Sequence, residues 1–146
     1  MRVCLVHHAD AVSPSVDPQR PLSTAGQNHA TQLAARVRDL GFTPAAIWHS
    51  GKLRSKQTAE AFLRVYPFAS FQIVRGLRPE DPPVWIRDEL NAETRDILLV
   101  GHMPHLPALA TELSPESQGA REFPLHGVIA LERGDGGVWR EFARLA

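Results

Sequence analysis

The sequence predicts an α/β fold, a three-layer sandwich with helices on both faces of a mixed, mostly parallel sheet. Two observations predict it. Short apolar runs alternate with amphipathic segments of helical period, and the period shortens to two in the tail, where two runs flank a glycine-rich turn. A third feature concerns chemistry: three of the apolar runs end in histidine or in glycine followed by histidine.

The first run, Val3-Cys4-Leu5-Val6, opens almost at the first residue and ends in His7-His8-Ala9-Asp10. Consecutive apolar residues bounded by polar ones read as a buried strand, and a period of two sends His7 and His8 to opposite faces. A polar loop carrying Arg20 follows. Ser23 or Thr24 supplies an N-cap, and Ala30, Leu33, Ala34, Val37 and Leu40 recur at helical spacing up to Gly41, which predicts one helix of about four to five turns. Ala45-Ala46-Ile47-Trp48 is the second strand and His49-Ser50-Gly51 a tight loop. A helix then starts near Leu53 and carries Ala59, Phe62 and Leu63. Lys52, Arg54 and Lys56 crowd its N-terminus, where unpaired N–H groups also favour an anion.

Phe71-Gln72-Ile73-Val74 reads as a third strand. The prolines and acids from Arg75 to Pro83 forbid regular structure, and a short helix runs from about Val84 to Ala92. Ile97-Leu98-Leu99-Val100 is the most continuous apolar run and predicts a central strand, leading through Gly101-His102-Met103-Pro104 into a helix that ends at Leu113. Ser114 to Phe123 reads as a polar connector. Val128-Ile129-Ala130-Leu131 and Val138 to Phe142, separated by Gly134-Asp135-Gly136-Gly137, read as an antiparallel hairpin.

The 146 residues suit a single domain, 1–146, able to bury its core without disulfides or metal staples. Sixteen basic residues balance sixteen acidic ones, so the charge offers no bulk field for nucleic acid or an anionic membrane. No apolar run approaches the length of a membrane span. The one cysteine, Cys4, sits inside the first strand as a buried thiol, and Met1-Arg2 leads directly into that strand; a cytoplasmic location is expected.

Parallel strands place their carboxyl ends at one edge of a sheet, so His8, His102, Arg54 and Arg20 can converge there into a small cationic pocket. Such a pocket suits a phosphoryl dianion, because the planar arginine fork pairs with two oxygens at once. Other chemistries fit less well. His105 follows His102 by three residues but lacks the companions of a zinc site, and no metal is expected. Gly51-Lys52 lacks the other glycine and the hydroxyl of a nucleotide-binding loop, since Ala46 and Leu53 stand there. Trp85 and Trp139 read as core or hairpin packing.

Four motifs in order along the chain resemble those of the histidine phosphatase superfamily, and within it the small SixA-type phosphohistidine phosphatases. They are His7-His8-Ala9, Arg20-Pro21-Leu22-Ser23-Thr24-Ala25-Gly26, Ser50-Gly51-Lys52-Leu53-Arg54-Ser55-Lys56-Gln57-Thr58 and Gly101-His102-Met103-Pro104. The resemblance implies a phosphoglycerate mutase-like fold and a metal-independent phosphatase without cofactor. In it His8 accepts the phosphoryl group, Arg54, Arg20 and His102 bind its oxygens, and Glu80 or Asp81 is the candidate general acid. Attack requires an unprotonated His8, whereas His102 works best charged, so the site is expected to push two histidine pKa values apart. The implied partner is a phosphorylated protein such as a histidine phosphotransfer domain, or a small phosphate ester, with the protein a monomer or weak homodimer.

The chain departs from the family at His7, where the motif has arginine; in that position His7 is a candidate substrate-binding residue that contacts the phosphate, or else it fills space. Losing a fixed charge and a bidentate fork costs oxyanion stabilisation of about 2 to 4 kcal/mol unless another cation compensates. Lys52, Lys56 and Arg78 are the candidates from sequence. The alternative is a regulatory pseudo-phosphatase that binds phosphate with little or no turnover.

Overall fold

The computed structural model describes residues 1–116 and 122–146. Ten elements follow one another: β1 (Arg2–His7), α1 (Thr24–Asp39), β2 (Ala46–His49), α2 (Leu53–Val65), β3 (Ser70–Ile73), α3 (Pro83–Ala92), β4 (Ile97–Gly101), α4 (His105–Leu113), β5 (Val128–Arg133) and β6 (Trp139–Leu145). The strands form one sheet in the order β3-β2-β4-β1-β5-β6. Pairing is parallel from β3 to β1, and antiparallel from β1 through β5 to β6. The carboxyl ends of the four parallel strands share one edge, as the strand-and-helix alternation requires.

Alternation along the strands divides the core into two layers. Val3, Leu5, Trp48, Ile97 and Leu99 face α3 and α4, where Ile86, Leu90, Leu106 and Leu109 cover them. Cys4, Val6, Ile47, Leu98 and Val100 face α1 and α2, against Leu33, Val37, Ala59 and Phe62. β1 and β4 are buried on both faces, which explains why their sequences are continuous apolar runs. β3 stands at the sheet edge and is largely exposed.

Local signals account for the helix limits. Ser23 caps α1, its Oγ accepting the Gly26 N–H at 3.0 Å, and Gly41 follows the helix at φ 79°, a left-handed conformation that costs glycine little. α3 opens on Pro83, whose missing N–H is tolerated in the first turn. Of the connector expected between Ser114 and Phe123, residues 117–121 lie outside the described set, but Phe123 is not part of a polar surface: it is buried in the layer under α4. Trp139 packs as expected and donates from Nε1 to Asn91 Oδ1 at 2.9 Å. Trp85 does not. It lies at the surface, 43% exposed, with the Arg75 guanidinium 5.2 Å over its ring.

Leu99 is fully buried in the middle of the sheet, so Leu99→Ala is expected to lower the unfolding free energy by about 3 kcal/mol. The urea midpoint measures this, and a loss below about 1 kcal/mol would contradict the packing described for this layer.

Candidate active site

The sheet edge where β1, β2 and β4 end brings the motifs together, and main-chain hydrogen bonds fix the join. The His8 N–H donates to Gly101 O at 3.1 Å, and the His7 N–H to Gly127 O at 2.9 Å. The end of β1 is thus held between β4 and the segment entering β5.

Several of the remaining motif positions have a physical task. Ser23 bonds to Asp10 twice, through its N–H to the carbonyl at 3.0 Å and its hydroxyl to Oδ2 at 2.6 Å. Gly26 lets α1 approach so closely that a Cβ there would sit 2.0 Å from Asp10 O. Gln57 Oε1 accepts the Leu22 N–H at 2.7 Å, joining the loop to α2. Thr58 Oγ1 accepts the Ala9 N–H at 3.0 Å and donates to Arg54 O at 2.8 Å, and the buried Ser55 hydroxyl donates to Val100 O at 2.8 Å. Serine, threonine and glutamine in the third motif are therefore clamps that set α2, and Arg54 with it, against β1 and β4.

His8 is buried, and its Nδ1 lies 2.7 Å from Ala9 O. A carbonyl only accepts, so Nδ1 carries the hydrogen and the lone pair of the neutral ring is on Nε2. Burial first, then Arg54, His126 and Arg20, push the His8 pKa down to about 4 against the bond to Ala9; the ring is neutral near pH 7. His102 is 5.1 Å away between ring centroids, its Nε2 is 2.6 Å from Ser50 Oγ, and its Nδ1 is buried without a hydrogen-bond partner. Burial, with His8, Arg54, Lys52 and His7 adding to it, pushes its pKa far down as well. The expectation that the site separates the two histidine pKa values is not met: both rings are desolvated among cations, so both shift the same way.

Arg54 has its Nε buried without a partner, and Arg20 donates from Nε to Val12 O at 3.1 Å from a backbone held at φ 51°. Neither has a carboxylate partner among the described residues, and Arg20 lowers the Arg54 pKa in addition to burial. Two mutually repelling guanidinium groups with no counter-ion favour a bound anion. A cavity of about 310 Å³ opens beside Arg54, lined also by Pro18, Gln19, Lys52 and Leu53.

The other expected residues lie as follows. Asp81 accepts the Arg78 N–H at 3.0 Å and lines a cavity with Ser50, Arg75 and Arg78, whereas Glu80 is exposed. Lys52 adds to the field on His102, and Lys56 acts on His49. His49, at a strand end like the others, turns to its own loop and accepts the Gly51 N–H on Nδ1 at 3.0 Å. His105 is buried at the start of α4.

Sequence reasoning missed Ser50, as the support of His102, and His126. The signal for His126 was topological: β5 runs antiparallel to β1, so the residues entering β5 stand beside the residues leaving β1. His126 stacks on His7 with centroids 4.9 Å apart and planes 7° apart. Its N–H donates to His7 Nδ1 at 2.8 Å, and its own Nδ1 lies 2.7 Å from His8 O. One ring nitrogen from each of His7, His8 and His126 lies within 4.8 Å of the others, close enough to surround a metal ion. Their hydrogen bonds do not suit one. His7 Nδ1 accepts, so its Nε2 bears hydrogen, and the three Nε2 atoms offer one N–H and two lone pairs instead of three lone pairs.

Comparison with solved structures identifies the architecture. The protein histidine phosphatase SixA complexed with tungstate superposes with a TM-score of 0.89 at 21% identity, over 100% of this chain and 97% of that one. The chain has the histidine phosphatase fold. The putative phosphohistidine phosphatase SixA from Agrobacterium tumefaciens, 26% identical, matches this fold with a TM-score of 0.83 over 99% of this chain and 97% of that one. Phosphoglycerate mutase from Plasmodium falciparum shares it at 14% identity, with a TM-score of 0.74 over 97% and 88% of the respective chains. An uncharacterized protein of Picosynechococcus sp. (strain ATCC 27264 / PCC 7002 / PR-6) is 29% identical over 131 residues, 86% of this chain and 79% of that protein. No family model matches the chain.

The buried rings give the stability a definite pH dependence. His7 and His8, ordinarily near 6.5, are pushed down to about 3 and about 4, with burial the main cause. The unfolded chain therefore binds protons that the folded site refuses, so their contribution is complete above pH 6.5 and is lost as the pH falls through about 4 for His8 and about 3 for His7. Urea midpoints are expected to decrease steadily across that window, and a flat profile would rule out neutral burial of these rings.

Proposed function

We propose that the protein is a metal-independent phosphatase that works through a phosphohistidine intermediate on His8, with protein phosphohistidine as its substrate. The observation that carries this reading is the Nδ1–H bond from His8 to Ala9 O, which leaves Nε2 as a neutral nucleophile at a sheet edge bearing Arg54, Arg20 and His102. The Nε2 lone pair attacks phosphorus, the substrate's P–N bond breaks, and its electron pair leaves on the departing imidazole, which takes a proton from solvent. Water then forms the new P–O bond, the bond from phosphorus to Nε2 breaks, the pair returns to His8, and the proton lost by water passes to solvent. Arg54 and Arg20 neutralise the equatorial oxygens, where positioned cations contribute most to phosphoryl transfer. Phosphohistidine departs without strong acid assistance; Asp81, sharing a cavity with Ser50, is better placed than Glu80 for an ester that needs it. The SixA neighbours support the substrate class, and the open cavities beside the site suit a protein surface better than an enclosed metabolite.

A second reading, a phosphate-binding pseudo-phosphatase, draws support from His7. Its Nδ1 accepts a hydrogen bond and its pKa falls to about 3, so it supplies a neutral donor where the motif supplies a fixed charge.

A phosphorylated histidine phosphotransfer domain is the substrate that tests both. Phosphate release is expected, with His8→Ala lowering kcat/KM by roughly three orders of magnitude or more and His102→Ala also severely impaired. Unchanged release by His8→Ala would refute the mechanism. The His7→Arg variant separates the readings: activity rising by orders of magnitude from near zero identifies the natural protein as the attenuated form, and activity that falls identifies His7 as part of a working site.

A further inference from the structure

We propose that His126 is a phosphoryl-binding residue of this site, and that with His7 it takes the place of the motif arginine as an oxyanion ligand that gains its proton as the anion binds. The proposal rests on the reading of His8 as the residue that carries the phosphoryl group, and it begins from hydrogen bonds that leave each ring one tautomer.

His7 Nδ1 is occupied by the His126 N–H, so its Nε2–H is a donor. His126 Nδ1 donates to His8 O, so its Nε2 is the nitrogen left to meet a ligand. The stacked rings and the left-handed backbone of His126, at φ 53°, hold this arrangement in place. The His126 ring stands 4.9 Å from the His7 ring and 6.0 Å from the His8 ring between centroids, near enough for donors on His7 and His126 to share one oxygen of a group carried by His8. A phosphoryl group on His8 Nε2 would place an equatorial oxygen between His7 and His126. A neutral His126 would turn its lone pair on that oxygen. Taking one proton from solvent turns the repulsion into a bond, and the proton returns to solvent when phosphate leaves.

The titratable and charged groups around His126 come from several elements. His7 and His8 stand beside it at the end of β1, and the His29 Nε2 of α1 lies 2.9 Å from its carbonyl oxygen. Arg54 acts on both β1 rings, Arg20 acts on His8, and His102 lies against His8. None of these named groups is a carboxylate. A guanidinium in the motif position would be charged at every pH; this pair becomes cationic with its ligand.

Tungstate, a dianion that does not titrate near neutrality, is the probe, with binding followed by calorimetry in buffers of different ionisation enthalpy. Affinity is expected to fall roughly tenfold from about pH 6 to about pH 8, with about one proton taken up per anion bound. His126→Asn tolerates the left-handed backbone, and its fold is checked by a two-dimensional amide NMR spectrum. It is expected to lose about tenfold in affinity at the lower pH and to flatten the profile. Binding by the Asn variant within about twofold of the natural protein, with the same slope, overturns the proposal. Tungstate results as expected, without phosphohistidine hydrolysis, would sink the phosphatase reading and leave His126 assigned; hydrolysis through His8 that is indifferent to His126→Asn would do the reverse.

Discussion

The structure depends on one main-chain hydrogen bond more than on any side chain: the His8 N–H to Gly101 O. It prolongs the β1-β4 pairing one residue beyond the strands and so determines where His8 leaves the sheet. A side chain one residue earlier would face the opposite helical layer, because strand side chains alternate. With the backbone fixed there, the bond from Nδ1 to Ala9 O orients the ring, and His102, carried on the loop after the same β4, stands at a set distance. His8 and His102 are positioned by two adjacent strands and do not need a mobile loop to meet.

The clamps around this join share a logic. Asp10, Ser23, Leu22, Gln57, Thr58 and Arg54 form a chain of short hydrogen bonds from the end of β1 through the following loop and α1 to α2. Buried polar groups are costly unless partnered, and each hydroxyl or amide here is partnered by backbone, so the polar residues hold the scaffold while the guanidinium groups remain available to a ligand. Stability and chemistry are thus divided among neighbouring residues of one motif.

The fold was largely legible in the sequence because its signals are local. Apolar runs at β1 and β4, Ser23 before α1, Gly41 after it and the glycines before β6 each specify backbone over a few residues. The resemblance carried His8, His102, Arg54 and Arg20 to one edge, where the structure gathers them. What was not legible came from pairing between distant segments. His126 has no motif around it and becomes part of the site only because β5 is antiparallel to β1. Ser50 supports His102 across the β2-β4 boundary. The common downward shift of the histidine pKa values follows from shared burial among cations, a property of the assembled pocket. Phe123 failed for a simpler reason: a polar neighbourhood in sequence conceals one apolar residue that the tertiary core recruits.

The twelve-residue excursion between Asp10 and Ser23 is closed at its base, where Ala11 bridges Leu22 and Ser23 bonds to Asp10. Because the ends are pinned, extra residues in between alter only the free part of the loop, and doubling its length costs about 0.6 kcal/mol in closure entropy. The rim that carries Arg20 can therefore be lengthened, shortened or rewritten over evolutionary time without displacing His8, so that the outer loop and the strand end beneath it are free to diversify separately.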